Sequence, residues 1–311
     1  MATTFLGSNK KPAVIVAPTS SGKTRIAVEV CKVCGCSILA ADSRQVYREL
    51  VIASGKEGDL RKIKIAGLGE RFVREIEGIS QFGLDLVSLK ERFTVFDYKK
   101  EAEKIFSLVK PAPLMVGGTP LYVDAIAYDF CLPKEDLNLR KKLSNLSDEE
   151  LVALLKEKDP TAPAEAFKTR RRLIRALETV LVYKKPLNQI RRRRKESRLE
   201  FFGLLLPREE LYQRIDERVE KALAAGLIEE VAALKAKGYE EARLKECGLW
   251  VRLVLQYLKG ELDFSSLKER LKFKTHEYAR RQLSWWRHNP EITWFEKPEL
   301  LIEGLIKYLQ E

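Results

Sequence analysis

The chain is short of several things. No apolar run in its 311 residues approaches the ~18 that cross a bilayer, so a membrane-spanning protein is not expected. Met1 to Pro12 holds no apolar h-region, so no secretory signal is expected either. Cysteine is sparse and odd in number, five in all. That suits reduced thiols in a cytoplasmic protein better than a disulfide framework. Cys31, Cys34 and Cys36 cluster, but no second Cys or His pair stands at zinc-ligand spacing. His276 and His288 are isolated and read as surface or RNA-contacting residues, not ligands. No internal repeat is visible. What remains is globular composition, 45% hydrophobic and 33% charged, with material for a sizeable core and no case for wholesale disorder.

Charge is distributed unevenly. The net charge is +12. Residues 168–198 alone hold thirteen Lys and Arg against two acidic residues, a net +11. A solvated basic helix face would account for a single such run. Gathering nearly the whole excess into one segment favours a polyanion, because counterion release attracts a phosphate backbone without sequence reading.

Ala13 to Ala17 is a short apolar run bounded by Pro12 and Pro18 and reads as a buried parallel strand. A helix is expected from Gly22 to about Val33, strands at Ser37–Ala41 and Pro113–Gly117, and a helix from about Tyr98 to Val109. Such alternation implies a parallel α/β sheet with sites at the carboxyl ends of its strands. From about Asp129 to Leu199 only helices are expected, at 137–143, 148–156 and 169–183, with Ser147 and Glu150 at capping-box spacing. A strand pattern returns at Phe201–Leu206, and Arg208 to Glu311 reads as mostly amphipathic helix. The simplest account has residues 1–128 and 200–311 as a catalytic core and residues 129–199 as a basic helical insertion. Residues 56–95 give no clear pattern.

Ala17-Pro18-Thr19-Ser20-Ser21-Gly22-Lys23-Thr24 follows the first strand and opens a helix. Apart from Ala17 in place of a glycine, it matches the phosphate-binding loop shared with ATP-binding proteins. Backbone N–H groups and the positive helix end cradle a diphosphate, Lys23 adds a point charge, and Thr24 offers a hydroxyl to Mg²⁺. The loop does not say what leaves or attacks. Asp42-Ser43-Arg44-Gln45-Val46-Tyr47 ends the second strand and Gly117-Gly118-Thr119-Pro120-Leu121-Tyr122 the third, facing the same crevice. Either could be an ordinary cap or turn. A nucleotide kinase or ATPase would use the same loop, with Asp42 as a second Mg²⁺ ligand.

These three motifs, in this order and spacing, resemble the tRNA dimethylallyltransferase (tRNA isopentenyltransferase) family. So do Arg172-Leu173-Ile174-Arg175-Ala176-Leu177-Glu178, Arg214 to Val219, Gly226 to Val231, and Tyr278-Ala279-Arg280-Arg281-Gln282-Leu283-Ser284-Trp285-Trp286-Arg287. Ile52-Ala53-Ser54-Gly55-Lys56 stands where the family usually reads Ile-Gly-Thr-Ala-Lys, Gly248-Leu249-Trp250 replaces a more usual Ile-Gly-Tyr, and residues 57–92 match poorly. The resemblance implies a P-loop NTPase-like parallel-sheet core with an inserted helical domain. It implies transfer of a dimethylallyl group from its diphosphate to N6 of adenosine 37 in a tRNA anticodon stem-loop. It implies Asp42 as base, with Thr19, Lys23, Arg218 and Thr119 around the diphosphate and Mg²⁺ on Thr24. Asp42, Ser43, Arg44, Gln45, Thr119, Arg140, Arg171, Arg172, Arg175, Arg191, Arg192, Arg193, Arg194, Arg281 and Trp285 would meet tRNA, with Gln45 reading the everted base. The expected protein is a cytoplasmic monomer without a membrane partner. Enzymes acting on free adenine nucleotides, and a non-catalytic RNA-binding protein, are the competing readings.

Overall fold

The computed structural model describes residues 10–131, 133, 135–190 and 193–311. The chain divides into two compact units, one running to Ala127 and resuming over Ser197–Glu311, the other Tyr128–Glu196. The first begins with β1 (Ala13–Val16), α1 (Lys23–Cys34), β2 (Ile38–Ala41), β3 (Asp59–Ile65), β4 (Gly69–Ile76), β5 (Ile79–Phe82), α2 (Val95–Leu108), β6 (Leu114–Gly117) and α3 (Pro120–Ala127). The second unit holds α4 (Leu137–Leu143), α5 (Asp148–Lys158), a 3-10 turn at Ala164–Phe167, α6 (Arg170–Tyr183) and α7 (Leu187–Ile190). The first then resumes with β7 (Glu200–Leu204), α8 (Arg208–Ala224), α9 (Leu227–Ala236), α10 (Glu241–Glu246), α11 (Leu249–Leu258), α12 (Phe264–Trp286), β8 (Ile292–Phe295) and α13 (Pro298–Gln310).

Among the described residues the sheet has eight strands in the order β3-β4-β5-β2-β6-β1-β7-β8. Its centre is parallel: Val14 lies between Met115 of β6 and Phe201 of β7. β1 is buried on both faces, which is why its sequence is a continuous apolar run and not an alternation. On one face Ile26 and Val30 of α1 and Leu301 and Leu305 of α13 join Ile15, Ile38 and Phe202 in one core. Because β2, β6 and β1 are parallel neighbours, their carboxyl ends open on one edge, and there the loop after β1, Asp42 and Gly118-Thr119 meet.

The structure fills in residues 59–82 as antiparallel hairpins that extend the sheet beyond β2. The mostly helical reading of Arg208 to Glu311 holds, with one added strand, β8, which pairs in parallel with β7 at Phe201 to Ile292, and the strand expected at 201–206 ends at Leu204.

The second unit has its own core, built from Leu143, Leu151, Leu155, Leu173, Leu177 and Leu187. Its α5 opens on the expected reciprocal cap. Ser147 N–H donates to Glu150 Oε2 at 2.7 Å, and Glu150 N–H donates to Ser147 Oγ at 3.2 Å. Glu178 is fully buried between two guanidiniums. It accepts from Arg140 Nη2 at 2.6 Å and Arg175 Nη1 at 2.7 Å, and from the Asp136 N–H at 2.6 Å.

Candidate active site

A cavity of about 770 Å³ opens at the carboxyl edge of β1, β2 and β6. Thr19, Lys23, Thr24, Asp42, Gln45 and Arg218 all border it, as do Tyr278 and Gln282 of α12. The loop Ala17–Gly22 wraps from the end of β1 to the start of α1. Lys23 Nζ folds back over it and donates to the Pro18 carbonyl at 2.5 Å. Burial lowers the Lys23 ammonium to about 7, the Asp42 charge opposes that shift, and Arg218 reinforces it. Arg218 reaches in from α8. Its Nη1 donates to Thr19 Oγ1 at 2.6 Å and its Nη2 to the Ser54 carbonyl at 3.4 Å. Its face lies 5.2 Å from the Trp250 ring. Burial also lowers the Arg218 guanidinium, against the pull of Asp42 and Glu57.

Asp42 shows two different oxygens. Oδ1 accepts from the Arg44 N–H at 2.7 Å and the Gln45 N–H at 3.3 Å, which locks the carboxyl at the end of β2. Oδ2 lies beside Gly118, where a Cβ would come within 3.2 Å of it. A side chain at 118 would therefore crowd the carboxylate. Thr119 Oγ1 accepts from the Ser43 N–H at 3.0 Å, tying the end of β6 to the residue after Asp42. Gln45 turns its amide inward, and Nε2 donates to the Ser54 and Gly55 carbonyls at 3.3 and 3.2 Å. Tyr278 forms part of the wall. Burial and the Asp42 charge push its phenol up to about 12, so it stays protonated.

Gln282 went unnoticed as a site residue in the sequence. It is buried, accepts from the Thr19 N–H at 2.9 Å and donates to the Gly118 carbonyl. One amide thus joins the phosphate loop to the end of β6. It lies within the Tyr278–Arg287 element that carries the family resemblance, but its partners at residues 19 and 118 emerge only from the helix crossing.

Other expected residues take different places. Arg44 Nη1 donates to the Glu246 carbonyl at 2.5 Å. Arg281 lies 5.9 Å from the Tyr278 ring, and Trp285 is exposed with its indole N–H on Asp124 Oδ2 at 2.8 Å. Trp286 is fully buried. In the second unit Arg140 and Arg175 hold Glu178, Arg172 pairs with Glu165 at 2.8 Å, and Arg171, Arg193 and Arg194 are exposed. Arg191 and Arg192 lie outside the described residues. The surface reading of His276 is corrected. Its side chain is 16% exposed, its Nε2 is 2.8 Å from Asp216 Oδ1, and its ring stacks on Tyr212 at 3.9 Å, so it braces α12 against α8.

Thr24 supplies a hard oxygen at the mouth of the loop, and among the described residues no cluster of three His, Cys, Asp or Glu could hold a metal alone. That donor set fits a hard divalent cation carried mainly by diphosphate oxygens and water.

A family model described as IPP transferase matches residues 45–289, and one described as isopentenyl transferase matches residues 11–75. The tRNA dimethylallyltransferase of Natranaerobius thermophilus is 35% identical, the match covering 93% of this chain and 87% of that protein. That of Acetivibrio thermocellus is 34% identical over 95% and 96%. The crystal structure of the tRNA isopentenylpyrophosphate transferase of Bacillus halodurans superposes with a TM-score of 0.65 at 27% identity, covering 97% of each chain.

Proposed function

The chain belongs to the IPP transferase family, and from that premise we propose that it transfers the dimethylallyl group of dimethylallyl diphosphate to N6 of adenosine 37 in tRNA. The reading is carried by one observation: Thr19, Lys23, Asp42 and Arg218 border a single cavity beside the end of β6. The C1–O bond of the donor breaks, the N6–C1 bond forms, the N6 proton passes to Asp42 Oδ2, and diphosphate leaves. The exocyclic amine is a weak nucleophile because its lone pair is delocalised into the ring. A positioned base is therefore needed as the new bond forms.

The leaving diphosphate gathers charge. The loop N–H groups, Lys23 and Arg218 meet it with preorganised positive charge, and such charge is usually the largest contribution to this kind of catalysis. Thr19 Oγ1 already accepts from Arg218, so its own proton is free for a phosphate oxygen. Thr24 would hold Mg²⁺, which when bound neutralises charge on the diphosphate. The allylic carbon must be kept from water while the donor reacts, because the donor would otherwise be hydrolysed.

Adenosine 37 must leave the anticodon-loop stack, at roughly a few kcal/mol. With Gln45 Nε2 turned to the loop carbonyls, its Oε1 is the atom left to accept from the base edge. The basic unit 128–196 holds the phosphates of the anticodon stem-loop, and the protein works as a cytoplasmic monomer. Incubation with Mg²⁺, dimethylallyl diphosphate and tRNA bearing A37, followed by mass analysis of the nucleosides, tests the proposal. Absence of N6-dimethylallyladenosine under conditions where a relative makes it would overturn it.

A further inference from the structure

Glu230 lies on α9 and is not among the residues bordering the cavity. Its carboxylate nonetheless accepts three backbone hydrogen bonds. Oε2 accepts from the Val51 and Ile52 N–H groups at 2.9 and 2.8 Å, and Oε1 from the Ala53 N–H at 2.9 Å. Three successive backbone donors around one anion form a nest, a concavity that a phosphate fills in other settings. Here the protein fills it with its own carboxylate.

The consequence lies one residue further along the chain. With residues 51–53 pinned outward, the carbonyls of Ser54 and Gly55 point inward. Both hold Gln45 Nε2, and the Ser54 carbonyl also holds Arg218 Nη2. Gly55 has φ +66°, a left-handed conformation that glycine adopts freely, and a Cβ there would come within 2.3 Å of Arg218 Nη2. The segment 51–56 is therefore shaped to bring its backbone against that guanidinium. Arg218 in turn reaches Thr19 Oγ1. The chain of contacts runs from Glu230 through the nest to the residue beside the base and the cation beside the diphosphate. It bypasses the phosphate loop N–H groups and Lys23.

We infer that Glu230 is a positioning residue for prenyl transfer, setting Gln45 and Arg218 together through the backbone of residues 51–55. The inference rests on the proposed function. It separates two properties that a general loss of folding would lower together. Ground-state affinity for diphosphate is shared among the loop N–H groups, Lys23 and Arg218, so loss of Glu230 disturbs only one of several contacts and lowers it little. The turnover rate and the KM for tRNA depend on it.

The experiment compares wild type, Glu230→Gln and Glu230→Ala, each checked for folding by its thermal transition. Single-turnover prenylation of tRNA is measured beside inorganic pyrophosphate binding. Glu230→Ala is expected to lower the rate by at least about tenfold and raise KM for tRNA, while the pyrophosphate Kd moves less than about threefold. Glu230→Gln keeps one acceptor oxygen and is expected to recover part of the rate. Combining Glu230→Ala with Gln45→Ala is expected to cost less than the two losses together, because both act through one contact. Wild-type turnover in a folded Glu230→Ala, strict additivity with Gln45→Ala, or a parallel fall in pyrophosphate affinity would overturn the inference. A wild-type protein that makes no prenylated tRNA would instead overturn the proposed function.

Discussion

Residue 23 carries a conflict between position and charge. A lysine lowered to about 7 by burial is only part-charged at neutral pH until an anion arrives. Diphosphate favours the ammonium, so binding above pH 7 must take up a proton, and affinity must fall as pH rises through that value. Calorimetry of pyrophosphate binding at pH 8.5, in buffers of different ionisation enthalpy, should show net proton uptake that vanishes in Lys23→Met. The role given to Asp42 is tested more simply. Asp42→Ala should lower single-turnover prenylation by about 10²- to 10⁴-fold while tRNA affinity changes little, because the base acts in the transition state. Equal losses in both would remove Asp42 as the base. Lys23 was legible because its spacing from the strand and the glycine encodes a local structure. Gln282 was not, because its partners at residues 19 and 118 are remote in sequence and are joined only by the path of α12.

At the level of elements, α6 holds a charge pair with a cost attached. Removing Glu178 leaves Arg140, Arg175 and the Asp136 N–H facing a buried gap. Glu178→Ala should destabilise the second unit by roughly 3–5 kcal/mol, read by denaturant unfolding. Burial alone would raise this carboxyl, but the bonds from Arg140 and Arg175 outweigh it and the net shift is downward. A lowered carboxyl stabilises the fold above its unfolded value and loses that stability as pH falls, so acid should loosen this unit. The basic run makes a different prediction. Neutralising Arg191–Arg194 should weaken tRNA binding and flatten log Kd against log salt by about 0.7–0.9 for each phosphate no longer neutralised. An unchanged slope would leave the run facing solvent. Element legibility followed burial. β1 and β6 lie between other strands, so their apolar runs announced them. β3 is exposed along most of its length, and its apolar alternation, Lys62-Ile63-Lys64-Ile65, is too short to read as a strand. β8 is four residues long and follows a 23-residue helix, so its pattern was lost in its neighbours.

For the molecule as a whole, the division of labour predicts substrate preference. A site that served free nucleotides would have no use for a unit carrying most of the excess positive charge. Prenylation of AMP should therefore be slower than that of tRNA by orders of magnitude at equal concentration, measured by product mass; equal rates would point to a nucleotide-modifying enzyme. The sheet order has a temporal consequence as well. The loop after β1 and Asp42 after β2 are made early, yet β6 must slot between their strands, and Arg218, Tyr278 and Gln282 arrive only with α8 and α12. A chain still emerging from the ribosome exposes a phosphate loop without the walls that would exclude water. Until α8 has been made the donor's leaving group has no Arg218 to meet it, so a chain stalled before that helix lacks a cation the reaction needs and is silent.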